Sequence, residues 1–385
     1  MMSTQSGTMP TTPLRIAFIG GAVNSAVGYS HFVASTMDRR WELVAGCFST
    51  QEEDNRETAA AYGIPADRLY ASWPDLVAAE RGRIDAVAIL TPIPAHHDMV
   101  AGCMRAGIPV ICEKALAGTP EEARALLQLR DELGAFLGIT YNYTGYPMLR
   151  ELARKVRSGQ LGRILHFQAE MPQEGFVRTD GRGNKPSPQP WRLADGAVPT
   201  LHLDLGTHLH QIVHYLTGER PLDLVADQNH YGWFDGVVDN SSCLARYSGD
   251  IQGQFWFSKS ALGHRNGLRI RIYGDLASAE WYQLSPEELL VSHRDGRREL
   301  LDRAGACDVA TARRYNRFKA GHPAGFLEAF ANLYGDLADC LQQYRATGTW
   351  QSAEVFSAEL ALEGLHFLEA MVRSTQSRGW VAVQR

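Results

Sequence analysis

The sequence has few of the features that mark metal-binding, nucleic-acid-binding or membrane proteins. Its six cysteines form no CxxC pair and no Cys/His pattern with metal-ligand spacing. It has no long run of Lys and Arg, the electrostatic signature of a nucleic-acid-binding protein. No segment approaches the roughly 20 apolar residues that a membrane-spanning helix needs. We therefore expect no metal, no nucleic-acid partner and no membrane insertion.

The bulk composition predicts a soluble protein of two domains. The chain has 385 residues, of which 45% are hydrophobic and 21% charged, and its formal net charge is -5. This length exceeds what one ordinary hydrophobic core organises. Residues 1–13 are rich in Ser, Thr and Pro without an apolar stretch, which indicates a disordered lead rather than a signal peptide. Because reduced thiols are common in apolar segments, where four of the cysteines lie, we expect a cytoplasmic protein.

Residues 14–140 alternate between short apolar runs and helical patterns, which predicts a parallel sheet with right-handed crossovers. The predicted strands are Leu14–Ile19, Trp41–Phe48, Asp85–Leu90, Pro109–Cys112 and Phe136–Ile139. The predicted helices are Gly28–Met37, Glu53–Tyr62, His97–Ala106 and one that begins at Thr119. Thr119 precedes Pro120 and stands three residues before Glu122, which is typical of a capped helix start.

Residues 141–385 have a different pattern, which predicts a second α/β domain. Pro172 to Pro199 is dense in Pro, Gly and charged residues, so we expect a long binding loop. The predicted strands are Ile164–Glu170, Leu222–His230, Ser241–Tyr247, Gln252–Phe257 and Leu268–Tyr273, mainly antiparallel with one face on a core. The predicted helices are Leu149–Ser158, His202–Leu216, Pro323–Tyr344 and Ala353–Ser374, and the last one is expected to reach back to the first domain.

A glycine-rich turn, IGGAVNSAVGYSH (Ile19–His31), follows the first strand. Such a turn lets backbone N–H groups and a helix N-terminus approach a pyrophosphate. The strict G-x-G-x-x-G spacing is not met, and a glycine-rich turn without a ligand is the alternative. We expect Gly20, Gly21, Asn24 and Ser25 to contact a dinucleotide.

At the tip of the second strand, near Ser49, there is neither an acidic nor a basic residue, which favours NAD over NADP without excluding NADP.

Five segments in this order resemble the Gfo/Idh/MocA oxidoreductases, more narrowly their levoglucosan-dehydrogenase-like branch. They are IGGAVNSAVGYSH, TPIPAHH (Thr91–His97), CEKALA (Cys112–Ala117), TYNYTGYP (Thr140–Pro147) and DLGTHLHQIVHYLTG (Asp204–Gly218). The resemblance implies a Rossmann domain followed by an α/β domain with an open, mainly antiparallel sheet. The substrate would lie between that sheet and the nicotinamide. The E-K-P motif of the family corresponds to Glu113, Lys114 and Ala115. Because alanine stands where the family has proline, the resemblance does not fix the backbone conformation at the lysine or its exact position.

Lys114 follows a predicted strand at the edge where α/β sheets bind ligands, so it can polarise a reacting hydroxyl. The alternative is a surface lysine. Asp204 and His208 are spaced i,i+4 on one helical face, a pairing that can orient an imidazole as a general base. His210 and His214 have the same spacing, so the spacing alone does not choose between the pairs. The resemblance selects His208 as base, Lys114 as polariser or co-base, and Asp204 as partner of the substrate or the lysine.

The remaining candidates follow the same motifs. The residues expected along the cofactor are Ser49, Thr91, Pro92, His96, Glu113, Lys114 and Asn142. Tyr143, Trp191 and Arg192 are expected at the substrate, because aromatic faces pack on sugar C–H surfaces and guanidinium groups bind adjacent hydroxyls. An interdomain linker and a loop anchor are the alternatives for these three. Weaker candidates are Tyr146, Gln173, Arg178 and His322.

Three functions fit this pattern. The leading one is a dehydrogenase that oxidises a ring hydroxyl of a sugar, anhydrosugar or polyol. A second uses transient oxidation to cleave a glycosidic bond without net NADH formation. A third is a non-catalytic sensor that binds a dinucleotide. A homodimer or homotetramer is expected, because the outer face of an open antiparallel sheet needs cover.

Overall fold

A parallel sheet forms the core of residues 14–140. The structure is a computed structural model, and it describes residues 12 to 384. The predicted disordered lead at 1–13 therefore lies outside the described residues except for its last two positions. The strand order is β2-β1-β3-β4-β5, and all neighbours are parallel. The strands are β1 (Leu14–Gly20), β2 (Trp41–Cys47), β3 (Ala86–Leu90), β4 (Val110–Glu113) and β5 (Leu137–Thr140).

Helices cover both faces of this sheet, as expected for buried parallel strands. They are α1 (Gly28–Met37), α2 (Glu52–Tyr62), α3 (Trp73–Glu80), α4 (His96–Arg105) and α5 (Pro120–Leu133). All five residues of β3 are buried, which explains why its sequence is a continuous apolar run. The strand order reverses between β1 and β3, so the carboxyl ends of these strands open a crevice for a ligand.

A second, mainly antiparallel sheet follows. Its order in the described residues is β13-β12-β11-β10-β6-β9-β8-β7-β14, and β6 and β9 are parallel. The strands are β6 (Ile164–Pro172), β7 (Pro221–Asn229), β8 (Asn240–Tyr247), β9 (Ile251–Ser258), β10 (Arg269–Gly274), β11 (Ala277–Tyr282), β12 (Leu289–His293), β13 (Arg298–Leu301) and β14 (Val381–Ala382). The predicted fold class, a Rossmann domain followed by an α/β domain with a mainly antiparallel sheet, is confirmed.

The helices of the second half connect the two sheets. They are α6 (Pro147–Arg157), α7 (Thr207–Thr217), α8 (Phe326–Thr347) and α9 (Ala358–Ser377). Helix α8 packs across α1, and the indole nitrogen of Trp41 donates a hydrogen bond of 2.8 Å to the carbonyl oxygen of Tyr334. Helix α9 packs on α5, where Arg130 and Glu359 form an ion pair of 2.6 Å. A domain boundary near residue 140 stays our proposal.

Some elements were not predicted from the sequence. Helix α3 is only eight residues long, and it begins after Ser72, whose hydroxyl accepts from the backbone N–H of Asp75. Strands β11 to β13 contain Ala, Ser, Glu and Arg, which have little strand preference of their own, and pairing with β10 and with each other stabilises them. Strand β14 consists of two residues beside β7.

Two further observations concern the cysteines and the hydrophobicity of the helices. All six cysteines are buried and unpaired. No helix within the described residues is long and apolar enough to cross a membrane.

Candidate active site

The glycine-rich turn after β1 brings the start of α1 close to the end of the strand. Gly20 and Gly21 adopt φ values of 80° and 78°, a left-handed conformation that side chains disfavour. A β-carbon at Gly28 would lie 2.2 Å from the carbonyl oxygen of Gly21. The turn is stabilised by the Ser25 hydroxyl, which accepts a 2.9 Å hydrogen bond from the Gly28 backbone N–H. The three glycines therefore allow a close backbone approach that bulkier residues would block.

A cavity of about 550 Å³ runs along the carboxyl ends of β1, β2 and β3. We name it the cofactor cavity. Nine of the predicted cofactor residues line it: Gly20, Gly21, Asn24, Ser25, Ser49, Thr91, Pro92, Glu113 and Lys114. No cation of the described residues lines it at the tip of β2, where Ser49 and Thr50 are found. The nearby Arg56 is exposed and forms an ion pair with Glu52 at 3.3 Å.

His96 does not line the cofactor cavity, although the sequence placed it there. Its side chain is fully buried, with Nδ1 2.8 Å from the carbonyl oxygen of Ala115 and Nε2 2.8 Å from that of Thr91. Burial lowers the pKa of this imidazole below its usual value. His96 therefore joins the loops that follow β3 and β4 from behind the cavity. The peptide bond between Lys114 and Ala115 in the second of these loops is cis.

A second cavity of about 480 Å³ lies between the first domain and the antiparallel sheet. We name it the substrate cavity. It is lined by the predicted residues Lys114, Asn142, Tyr143, Gln173, Arg192, Asp204 and His208, and by the unpredicted Lys259. Six residues line both cavities: Ala26, Val27, Glu113, Lys114, Arg192 and Asp204. The two cavities therefore meet at the predicted catalytic lysine.

Three cations surround the carboxylate of Asp204. The Nζ atom of Lys114 lies 2.8 Å from Oδ1, and it also donates to the main-chain oxygen of Asp204 at 2.9 Å. Nζ of Lys259 lies 2.7 Å and Nη1 of Arg192 lies 2.5 Å from Oδ2. Burial alone would raise the pKa of Asp204, but the three positive charges hold this pKa well below 3.8. The carboxylate is therefore ionised over the whole physiological range.

Asp204 lies in a π-helical turn, His202–Gly206, directly before α7. Such turns occur frequently at functional sites. The sequence predicted that Asp204 orients His208, but the cations occupy its carboxylate, and Nδ1 of His208 is buried without a hydrogen-bond partner among the described residues. The ring of Tyr143 instead packs edge-to-face on His208, with the ring centroids 4.7 Å apart. Burial, and next the charge of Lys114, lower the pKa of His208 to about 3.

Glu113 lines both cavities, yet its carboxylate is bound by groups of the first domain. Oε1 lies 3.0 Å from Nε2 of His31 and accepts from the hydroxyl of Thr140, and Oε2 accepts from the backbone N–H of Lys114 at 3.2 Å. His31 in turn contacts the hydroxyl of Tyr334 at 2.8 Å. Burial raises the pKa of Glu113, but the hydrogen bond to His31 and nearby charges lower it overall to about 2. This network holds the backbone at Lys114.

The substrate candidates of the long loop divide into two groups. Arg192 lines both cavities, whereas Trp191, which was expected at the substrate, lines the cofactor cavity and not the substrate cavity. The guanidinium carbon of Arg192 lies 4.4 Å from the centroid of the Trp191 ring. Gln173 lines the substrate cavity. The other weak candidates do not line either cavity: Tyr146 is buried and accepts from Gln283, Arg178 forms an ion pair with Glu174, and His322 is exposed.

Two residues of the site were missed by the sequence reasoning. Lys259 directly follows β9, so the position of a lysine after a strand, the argument used for Lys114, could have singled it out. His31 lies inside the predicted first helix, and no local signal distinguishes it from an ordinary buried histidine.

The turn, the crevice and the lysine between the two cavities are typical of a dinucleotide-dependent oxidoreductase with a second domain built on a mainly antiparallel sheet. Residues 14–141 match the model of an oxidoreductase family with an NAD-binding Rossmann fold, and residues 149–280 match the GFO/IDH/MocA C-terminal domain. The chain belongs to the Gfo/Idh/MocA family of oxidoreductases. This confirms the predicted family and NAD as the cofactor.

Relatives extend over nearly the whole chain. An uncharacterised oxidoreductase of Bacillus subtilis, YfiI, is 30% identical over 96% of each chain. An inositol dehydrogenase homologue of Azotobacter vinelandii, crystallised with NADH and myo-inositol, is 27% identical with a TM-score of 0.86, covering 96% of this chain and 98% of that one. A levoglucosan dehydrogenase of Pseudarthrobacter phenanthrenivorans is 25% identical over 61% of this chain and 64% of its own length, a distant neighbour.

Proposed function

We propose that this protein oxidises a ring hydroxyl of a sugar, anhydrosugar or polyol to a ketone, with NAD as the hydride acceptor. The observation that carries the proposal is the position of Lys114, which lines both cavities with its ammonium group 2.8 Å from the Asp204 carboxylate. A group placed there reaches the reacting oxygen of a substrate whose carbon faces the cofactor. Relatives named as inositol and levoglucosan dehydrogenases support the same substrate class.

The residues present fit an NAD molecule. The left-handed Gly20 and Gly21 and the close contact at Gly28 allow the backbone of the turn to approach a pyrophosphate closely. The Nδ2 atom of Asn142 is buried without a hydrogen-bond partner among the described residues, beside the junction of the cavities, where it suits a nicotinamide carboxamide. Bound NAD supplies an acceptor for the hydride that leaves the carbinol carbon.

Side chains of the substrate cavity manage the proton. The His208 imidazole is neutral, since its pKa is about 3, and it accepts the hydroxyl proton as the C–H bond breaks. The Lys114 ammonium group donates a hydrogen bond to the same oxygen and stabilises its developing negative charge. Asp204 holds Lys114 in place through its carboxylate and its main-chain oxygen.

Purified protein incubated with NAD and single members of a panel of monosaccharides, anhydrosugars and inositols tests this proposal. We expect an increase of the NADH absorbance with at least one of them. Lys114→Met should lower kcat by about 100-fold or more, because it removes both the polarising charge and a proton donor. The matched control, Lys319→Met, removes an exposed lysine that lines neither cavity.

Two results would contradict the dehydrogenase. Release of the aglycone from aryl glycosides without net NADH formation indicates the glycoside-cleaving alternative. NAD binding without turnover of any compound, and with the same behaviour of wild type and Lys114→Met in cells, indicates the sensor.

We further propose that the chain forms a homodimer or homotetramer in a reducing cytoplasm. The second sheet has a concave patch on its outer face, which includes Leu244 and Trp256, and Leu244 is exposed. An open sheet face of this kind is commonly covered by another subunit. The six unpaired cysteines support a reducing compartment. Static light scattering at micromolar concentration tests the assembly, and a monomeric mass would contradict it.

A further inference from the structure

The substrate cavity has a surplus of positive charge. Its lining includes three cations, Lys114, Arg192 and Lys259, and two carboxylates, Glu113 and Asp204. The Glu113 carboxylate is already bound by His31, Thr140 and the Lys114 backbone, so Asp204 alone is in direct contact with the cations. Three positive charges therefore contact a single carboxylate directly, and because Glu113 is also ionised the lining as a whole carries one net positive charge.

Three nearby carboxylates do not line this cavity, and none of them forms an ion pair with Lys259 or Arg192 among the described residues. Glu174 forms ion pairs with Arg178 and Arg265 at 3.1 and 3.0 Å. Asp195 accepts from the backbone N–H groups of Thr200 and Val238, both at 2.8 Å. Asp239 accepts from the backbone N–H groups of residues 231 and 232. The surplus charge is therefore a property of the cavity itself.

Lys259 shows where a counter-charge would bind. Its side chain is only 7% exposed, and among the described residues its one hydrogen-bonding partner is the Asp204 carboxylate. An ammonium group has three donors, so two remain for a ligand. The guanidinium of Arg192 likewise uses only Nη1, leaving donors in a planar fork that suits an anion. The ring of Phe176, whose centroid lies 5.0 Å from Nζ of Lys259, compensates this buried cation in part, and an anionic ligand would compensate it further.

The cofactor does not account for Lys259. Lys114 and Arg192 line both cavities and could therefore contact the phosphates of NAD, but Lys259 lines the substrate cavity alone. It lies after β9, on the antiparallel sheet, on the substrate side of Asp204. A neutral sugar offers hydroxyl oxygens to these donors but no compensating charge.

We infer that the substrate is a sugar or polyol with an anionic group, a carboxylate or a phosphate monoester, which binds Lys259 and Arg192 while the neighbouring carbinol lies at Lys114. This inference rests on the proposed dehydrogenase function and names its substrate class. The oxidation itself is unchanged: the anionic group binds and positions the substrate and takes no part in bond breaking.

Binding to the NADH complex tests the inference without requiring turnover. Isothermal titration with D-glucose, D-glucuronate and D-glucose 6-phosphate compares one ring in neutral, carboxylate and phosphate form. We expect one of the anions to bind at least about 10-fold more tightly than glucose, the range of one charge-assisted hydrogen bond. The anion that binds more tightly identifies the group. Equal affinity for all three in the wild-type protein would overturn the inference.

Variants then assign the effect to Lys259. Lys259→Met should reduce the preference for the anion over glucose by about 10- to 100-fold, and Lys259→Arg should retain most of it. Lys319→Met is again the matched control, because it removes an exposed lysine that lines neither cavity and lies outside the long loop. Arg192→Gln provides a second loss-of-charge variant if Lys259→Met does not fold. A preference unchanged in every folded charge-loss variant would overturn the inference.

The same assays separate the inference from the proposed function. Tight anion binding without NADH formation from any compound would contradict the dehydrogenase and leave the anion site standing. Oxidation of neutral sugars without any preference for anions would contradict the anion site and leave the dehydrogenase standing.

Discussion

Replacing Asp204 by Asn should destabilise the fold strongly, because the change keeps the shape of the side chain and removes the only charge facing three cations. At an effective dielectric constant of about 20, two unit charges 2.8 Å apart attract by about 6 kcal/mol, most of which desolvation offsets. Removing one partner of a buried ion pair costs about 3–5 kcal/mol. We therefore expect Asp204→Asn to lower Tm by about 5–10 °C near neutral pH.

The pH dependence of the decrease in Tm distinguishes an electrostatic cause of the destabilisation from a packing defect. In the fold the Asp204 pKa lies well below 3.8, so its stabilisation is complete above about pH 5 and is lost as the pH falls below 3.8. Burial already lowers the pKa of Lys259, and without Asp204 this pKa falls further. The resulting penalty is full below the lowered pKa and disappears as the pH rises towards the unfolded value of 10.5. The difference from wild type should thus be full from about pH 5 up to the lowered pKa of Lys259, and it should decrease as the pH rises from there towards 10.5.

Thermal unfolding at about pH 5, 7 and 9 measures this difference, with Asp339→Asn as control. Asp339 forms an exposed ion pair with Arg40 at 2.6 Å, which is worth about 0–1 kcal/mol. A loss for Asp204→Asn that is independent of pH, or no larger than that for Asp339→Asn, would refute the electrostatic reasoning.

Three further predictions follow from the two cavities. Gly28→Ala should weaken NAD binding by about 10-fold or more in a fluorescence titration, because its β-carbon would lie 2.2 Å from the carbonyl oxygen of Gly21; unchanged affinity would contradict the close approach. His208→Gln should lower kcat by about 100-fold while NAD affinity stays within about twofold, and a parallel loss of NAD affinity would assign it a structural role. NAD should bind at least about 10-fold more tightly than NADP, because among the described residues no cation lines the cavity at the end of β2; competition titration checks the order.

The parts of the fold predicted from the sequence are those governed by local chemistry. Helix α5 begins after Thr119, whose hydroxyl accepts from the backbone N–H of Glu122, as the cap pattern predicts. The Glu122 carboxylate, however, accepts from Gly118 rather than from the cap residue. Helix α2 ends at Gly63 with φ of 72°, which a terminal glycine predicts. Strands β11 to β13 lacked such a signal, because their stability depends on neighbouring strands.

The sequence predicted which residues lie at the site, but not which of their side chains contact each other. Lys114 and Asp204 are 90 residues apart, and the i,i+4 spacing pointed to His208 as the partner of the carboxylate, whereas only the family resemblance offered the lysine. Lys259 reaches Asp204 across 55 residues, and His31 reaches Glu113 across 82. Such contacts depend on how segments far apart in the chain pack together, which single-sequence patterns do not encode.

Burial, more than charge, decides how well His208 can serve as a base. Burial and next the Lys114 charge lower its pKa to about 3, which leaves the imidazole neutral but weakly basic at neutral pH. A general base works best when its pKa lies near the operating pH. The charges of Asp204 and Glu113 raise this pKa, but by less than burial lowers it. The imidazole is therefore ready to accept a proton, and the Lys114 ammonium group, which stabilises the developing negative charge on the substrate oxygen, has to compensate for its weak basicity.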